Sequence, residues 1–71
     1  MKEQEKYFIL NECKKHYINA TGIRLINPYI CLEELGRARA LKEIIEKYID
    51  CQPKKYYIIY QQIVKLENTF N

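Results

Sequence analysis

The chain has 71 residues, of which 48% are hydrophobic and 30% charged, and its net charge is +3. A chain this short predicts a single domain, 1–71, with a marginal core, because it buries only about 60% of the surface that its unfolded form exposes. The composition excludes a disordered protein. Two Gly and two Pro are too few for the frequent turns of a β-sandwich or barrel, so the composition favours helices.

The sequence carries no recognisable export or membrane signal. Its N-terminus, Met1 to Lys6, is charged and is not followed by the apolar core of a signal peptide. No stretch approaches the roughly 20 apolar residues that span a bilayer. Three cysteines, an odd number at wide spacing, are a poor disulfide framework, so we expect reduced thiols. These features predict a cytoplasmic protein without a membrane partner.

The first predicted helix covers residues 2–20. At about 100° per residue, its apolar side chains fall on one face. These are Ile9, Leu10, Cys13, Tyr17 and Ala20, with Tyr7 and Ile18 at the edge. We expect Gly22 to follow the helix in the left-handed cap conformation, which glycine adopts without a steric penalty.

The second predicted helix covers residues 28–50. Asn27 is suited to cap its free amides, and Pro28 to occupy its first position. Two adjacent apolar stripes run along it: Cys31, Leu35, Ala38, Ile45 and Ile49, then Ile30, Leu41, Ile44 and Tyr48. So wide a face predicts that this helix lies at the centre and touches both others. Gly36 costs about 1 kcal/mol relative to Ala, which leaves open a later start near Cys31 or a bend at Gly36.

The third predicted helix covers residues 53–68, where apolar residues again recur at helical spacing. They are Tyr56, Ile59, Ile63 and Leu66, and Phe70 continues the spacing just beyond the helix. Tyr and Ile also favour strands, so a mixed α+β fold with short strands at 23–26 and 56–60 is the alternative. Because the helical spacing persists over four turns and strict alternation fails within 56–60, we predict an all-α fold, a small three-helix bundle.

The residues argue against catalysis and against a resident metal. His16 is the only histidine, so no Ser-His-Asp set can be built, and no glycine-rich phosphate loop is present. Cys13, His16, Cys31 and Cys51 are residue types that bind zinc, but small zinc domains bring their ligands as two close pairs. Cys31 and Cys51 are far apart in the sequence. We therefore predict a protein that is not an enzyme and has no cofactor, metal or small-molecule substrate.

Basic residues make nucleic acid one candidate partner. They are Lys14, Lys15, Arg37, Arg39, Lys54 and Lys55. Basic side chains attract phosphate through counterion release, and tyrosine rings stack on unpaired bases. However, a net charge of +3 is modest for such a role, and four glutamates share the second helix with the arginines. We keep nucleic-acid binding as the alternative function.

Apolar and small residues outside the predicted core faces point to a protein partner. They are Phe8, Leu32, Gly36, Ala40 and Ile58, with Arg37, Arg39 and Tyr57 beside them. Small residues let another helix approach closely, and Tyr and Arg often dominate binding energy. A lone exposed apolar side chain is normal, but several in a chain with a marginal core favour burial against another protein. We expect an adaptor, inhibitor or regulator that binds a protein stoichiometrically or forms a homodimer.

Overall fold

The fold, given by a computed structural model that describes all 71 residues, is all-α. Its three helices are α1 (Glu3–Ile23), α2 (Pro28–Tyr48) and α3 (Lys54–Asn68). The all-α prediction is confirmed, with helix bounds close to those expected. The alternative with strands is wrong, since residues 23–26 complete α1 and form a turn, and residues 56–60 lie within α3.

The start of α2 follows the predicted capping chemistry. The side-chain Oδ1 of Asn27 accepts a hydrogen bond from the backbone N–H of Ile30 at 3.2 Å, and Pro28 is the first helical residue. The later start near Cys31 does not occur. The helix continues through Gly36 as one element of 21 residues.

The end of α1 differs from the prediction. Gly22 lies inside the last turn of the helix, and no glycine in the chain has a positive φ. The chain instead continues through Arg24 in the right-handed helical conformation. The carbonyl of Ile23 then accepts hydrogen bonds from the backbone N–H groups of Ile26 and Asn27, at 3.0 and 2.9 Å. These bonds close the turn, so a left-handed glycine is not needed.

The central helix is α1, not α2 as predicted. Both α2 and α3 approach α1 closely, whereas α2 and α3 meet through long side chains. Lys42 of α2 forms an ion pair with Glu67 of α3 at 3.3 Å, and the hydroxyl of Tyr60 donates to Glu46 Oε2 at 2.6 Å. The three helices form a body of 36 × 18 × 17 Å. None of them combines the length and the apolarity that crossing a membrane would demand.

The core lies between the three helices and contains only hydrophobic residues. Its fully buried members include Leu10, Cys13, Tyr17, Ile45 and Ile63. The first predicted stripe of α2, from Cys31 to Ile49, is buried as expected. Its second stripe is covered only in part: Leu41 packs against the core, whereas Ile30, Ile44 and Tyr48 remain exposed. The wide apolar face of α2 therefore has a covering helix on only part of its width.

Candidate functional site

Exposed apolar side chains concentrate on α2 and on the turn that precedes it. Leu25 in this turn is 95% exposed, Leu32 is 64% exposed and Tyr48 is 63% exposed. Ile26 and Tyr29 are also largely exposed. Since exposing large hydrophobic side chains to water is unfavourable in free energy, this part of the surface is the first candidate for an interaction site.

The outer face of α2 is the side turned away from the core. Helical spacing places Glu33, Gly36, Ala40, Ile44 and Lys47 along this face, and all of them are exposed. Leu32 and Tyr48 lie at its edges. The predicted strip of Leu32, Gly36 and Ala40 is therefore on the surface, and it runs into a longer apolar line that ends at Ile44 and Tyr48.

Gly36 leaves this face open to close approach. A Cβ atom built on Gly36 would have no atom within 4 Å, and the backbone there does not need a positive φ. Beyond it, Ala40, Glu43, Ile44, Lys47 and Tyr48 line a shallow depression. The outer face of α2 thus has no protruding side chain at Gly36 and a shallow recess towards the end of the helix, from Ala40 to Tyr48.

The charged residues of the outer face have no ion-pair partner within the chain. The ion pairs of the protein join Glu3 with Lys55, Glu12 with Lys15, His16 with Glu34, and Lys42 with both Glu46 and Glu67. Glu33, Arg37 and Lys47 take part in none of them. Lys47 Nζ lies 5.7 Å from the centre of the Tyr48 ring on its own helix. These charges are free to meet an incoming molecule.

The other predicted apolar residues lie on different helices. Phe8 of α1 is 65% exposed, and Tyr57 and Ile58 of α3 are about half exposed. Phe8 and Ile58 project from the sides of α1 and α3 that face away from the core, so they point in directions different from the outer face of α2. The predicted partner-binding residues are exposed, but they do not form one surface.

Arg37 and Arg39 also separate. Two residues apart on a helix, their side chains diverge by about 200° around α2. Arg37 stays near the outer face, while Arg39 lines a hollow with Lys42, Glu43 and Glu67 between α2 and α3. Only Arg37 therefore belongs with Gly36 and Ala40.

The six basic residues proposed for nucleic acid are spread over the molecule. Lys55 is paired with Glu3 at 2.6 Å, at the end of the bundle where α1 and α3 begin, and Lys54 is beside it. Lys15 pairs with Glu12 at 3.5 Å, and at 1.5 Å per residue Lys15 lies about 18 Å further along α1 than Glu3. Two of the six thus have an ion-pair partner within the chain, which lowers the charge that they offer to a phosphate.

Cys13 and His16 have separate roles in packing. The buried thiol of Cys13 donates to the carbonyl of Ala38 at 3.3 Å, which ties α1 to α2. Burial raises its pKa to about 12, with Lys42 opposing and nearby glutamates adding to the shift, so the thiol is a poor nucleophile at neutral pH. His16 Nδ1 instead hydrogen-bonds Glu34. No group of three potential metal ligands forms here.

Sequence reasoning missed part of this surface. Tyr29 was not assigned, yet it is among the most exposed aromatic residues of the chain. Its spacing to Glu33, Gly36 and Ala40 is helical, so the pattern placed it on the outer face of α2. The wide apolar face of α2 predicts two covering helices and so places Ile44 and Tyr48 in the core, but both are exposed.

Comparisons of the chain with protein-family models, with curated proteins and with solved structures find no match.

Proposed function

We propose that this protein is a non-enzymatic interaction module whose three-helix bundle presents the outer face of α2 to a protein partner. The observation that carries the proposal is the uncovered apolar line on α2, from Leu32 past Gly36 and Ala40 to Ile44 and Tyr48. Burying such a line removes about 25 cal/mol of unfavourable free energy per Å² of apolar surface. In this proposal the protein acts in the cytoplasm as an adaptor, inhibitor or regulator that binds its partner stoichiometrically.

Gly36 supports this proposal through its effect on stability. A glycine in the interior of an exposed helix costs about 1 kcal/mol relative to alanine. The backbone at Gly36 does not call for glycine, since its φ is not positive, and an added Cβ would meet nothing within 4 Å. Nothing within the chain therefore explains a glycine at this position. A partner that packs closely against the helix backbone would explain it, because glycine has no side chain in the way.

The chemistry of the face indicates an α-helical partner. A helix can lay its own apolar residues along Gly36 and Ala40, with its larger side chains in the depression near Ile44. Glu33 and Lys47, at the two ends of this line, require a charge of the opposite sign at each end. A partner helix with a basic residue at one end and an acidic residue at the other fits this pattern.

The proposal is tested by capture of partners from the native cell extract with Gly36→Lys, after nuclease treatment. A lysine at this position adds bulk and charge where the partner must approach most closely, so bound protein should fall about tenfold or more. Quantitative mass spectrometry of the captured material measures the loss.

Gly22→Lys is the matched control. Gly22 is also exposed, helical and without neighbours within 4 Å of a built Cβ, so Gly22→Lys adds the same side chain at a surface position of another helix. Wild type and Gly22→Lys should retain the same proteins. If Gly36→Lys retains as much partner protein as the wild type, the outer face of α2 is not the binding surface.

Nucleic-acid binding remains the alternative, and salt distinguishes it. Binding through Lys14, Lys15, Arg37 and the other basic residues would weaken steeply between low and moderate salt. Binding through an apolar face would change little. Retention of nucleic acid by the wild type, lost on adding salt, would favour the alternative over the protein-interaction function.

A further inference from the structure

The outer face of α2 is complementary to itself. Ala40 lies at its centre, with Gly36 and Ile44 four residues to either side and Glu33 and Lys47 seven residues to either side. Each pair joins unlike members: a small residue with a large one, and an acid with a base. All five residues are exposed on the same side of one helix.

From this arrangement we propose that the partner is a second copy of the chain, with the two α2 helices antiparallel about a twofold axis at Ala40. The inference rests on the proposed function and names its partner. An antiparallel twofold places each residue opposite the one equally far from the axis on the other side. Ile44 of each copy then faces Gly36 of the other, and Ala40 faces Ala40.

The same register pairs the charges at both ends of the contact. Glu33 of each copy lies opposite Lys47 of the other, which gives two equivalent ion pairs. Neither residue has an ion-pair partner within its own chain. A parallel arrangement in register would instead set Glu33 against Glu33 and Lys47 against Lys47, so the charges select the antiparallel pairing.

The size of the face predicts a dimer of moderate affinity. α2 has 21 residues and is therefore about 30 Å long. Stable interfaces bury at least about 600 Å² from each partner, and this is about one eighth of the 4990 Å² surface of the chain. A contact along a single helix lies at this lower limit, so we expect a dissociation constant in the micromolar range.

Charge reversal combined with sedimentation equilibrium tests the register. Lys47→Glu and Glu33→Lys each replace two attractive contacts with two repulsive ones, so each should weaken dimerisation by about tenfold. The double variant Glu33→Lys, Lys47→Glu restores both ion pairs with reversed sign. Its dissociation constant should return to within about threefold of the wild type, and only a contact between these two positions predicts this rescue.

Lys65→Glu is the matched control for Lys47→Glu. Lys65 is exposed on α3 and forms no ion pair, so this variant changes the net charge equally without touching the proposed contact. Its dissociation constant should equal that of the wild type. Far-UV circular dichroism of every variant checks that the helices remain folded.

Two outcomes overturn the proposed antiparallel dimer through α2. The first is a wild-type chain that stays monomeric up to about 1 mM, well above the expected dissociation constant. The second is a dimer in which the double variant is no tighter than the single ones, since the copies then meet elsewhere. Failure of the dimer is distinct from failure of the proposed function, because loss of a foreign protein with Gly36→Lys would still establish the outer face of α2 as a binding surface.

Discussion

At the scale of single residues, Tyr17 links the apolar core to a polar cluster between the helices. Its ring is fully buried, and its hydroxyl donates to Glu67 Oε2 at 2.5 Å. Lys42 contacts the same carboxylate. Burial and the hydrogen bond to Glu67 raise the pKa of Tyr17 far above its usual value, so the phenol stays protonated as a donor. The carboxylate of Glu67 thus receives a hydrogen bond from Tyr17 of α1 and an ion pair from Lys42 of α2.

Tyr17→Phe should destabilise the fold by about 1–2 kcal/mol, because it removes a hydrogen bond to a charged group while keeping the buried ring. Urea unfolding followed by circular dichroism measures the change. Tyr57→Phe is the matched control: Tyr57 is half exposed and forms no side-chain hydrogen bond, so its stability should stay within about 0.5 kcal/mol of the wild type. Equal effects of the two substitutions would contradict the role of the Tyr17 hydroxyl.

At the scale of elements, α2 has one apolar side in the core and a second in solvent. Cys31, Leu35 and Ile45 pack towards α1, while Ile44 and Tyr48 remain exposed. Apolar burial alone does not set where α2 begins. The cap formed by Asn27 and the proline at Pro28 define its first turn. Local capping therefore holds a helix whose outer surface makes no contact within the chain.

Asn27→Ala should lower the stability of the protein by about 1 kcal/mol, since the N–H of Ile30 loses its side-chain acceptor. The thermal unfolding midpoint measures the loss. Asn11→Ala serves as control, because Asn11 is exposed in the middle of α1 and alanine has the higher helix propensity. This control should be neutral or slightly stabilising. An unchanged midpoint for Asn27→Ala would show that the cap contributes nothing.

At the scale of the whole molecule, α2 and α3 are joined by a polar cluster. Lys42 and Glu46 of α2 contact Glu67 and Tyr60 of α3. Burial would raise the pKa of Glu67, but hydrogen bonds from Tyr17 and Lys42 outweigh it and hold the pKa below its ordinary value of 4.5. The ionised carboxylate is thereby favoured in the folded state.

This lowered pKa predicts acid sensitivity. Because the folded protein favours ionised Glu67 more than the unfolded chain does, its contribution is full above about pH 4.5 and is lost as pH falls through the folded pKa. At pH 7, Glu67→Gln should be less stable than the wild type by about 1–2 kcal/mol. Urea unfolding between pH 7 and pH 3 should show this difference shrinking with acid. A constant difference would contradict the assignment.

The sequence by itself determined the three helices and most of the core. Helical spacing identified the buried residues of α1 and the Cys31–Ile49 stripe, and Asn27-Pro28 located the start of α2, because these features depend on neighbours along the chain. The predicted end of α1 at a left-handed Gly22 is wrong. The helix ends instead with turn hydrogen bonds to the carbonyl of Ile23, which need no residue with a positive φ.

Only the tertiary structure decided which apolar faces are covered. A wide apolar face is the same in sequence whether a second helix or solvent lies beside it, so Ile44 and Tyr48 could not be told from core residues. The choice of α1 as the central helix arises from packing between segments distant in sequence. That choice leaves the outer face of α2 exposed, and it brings Tyr17, Lys42 and Glu67 from three helices to one point.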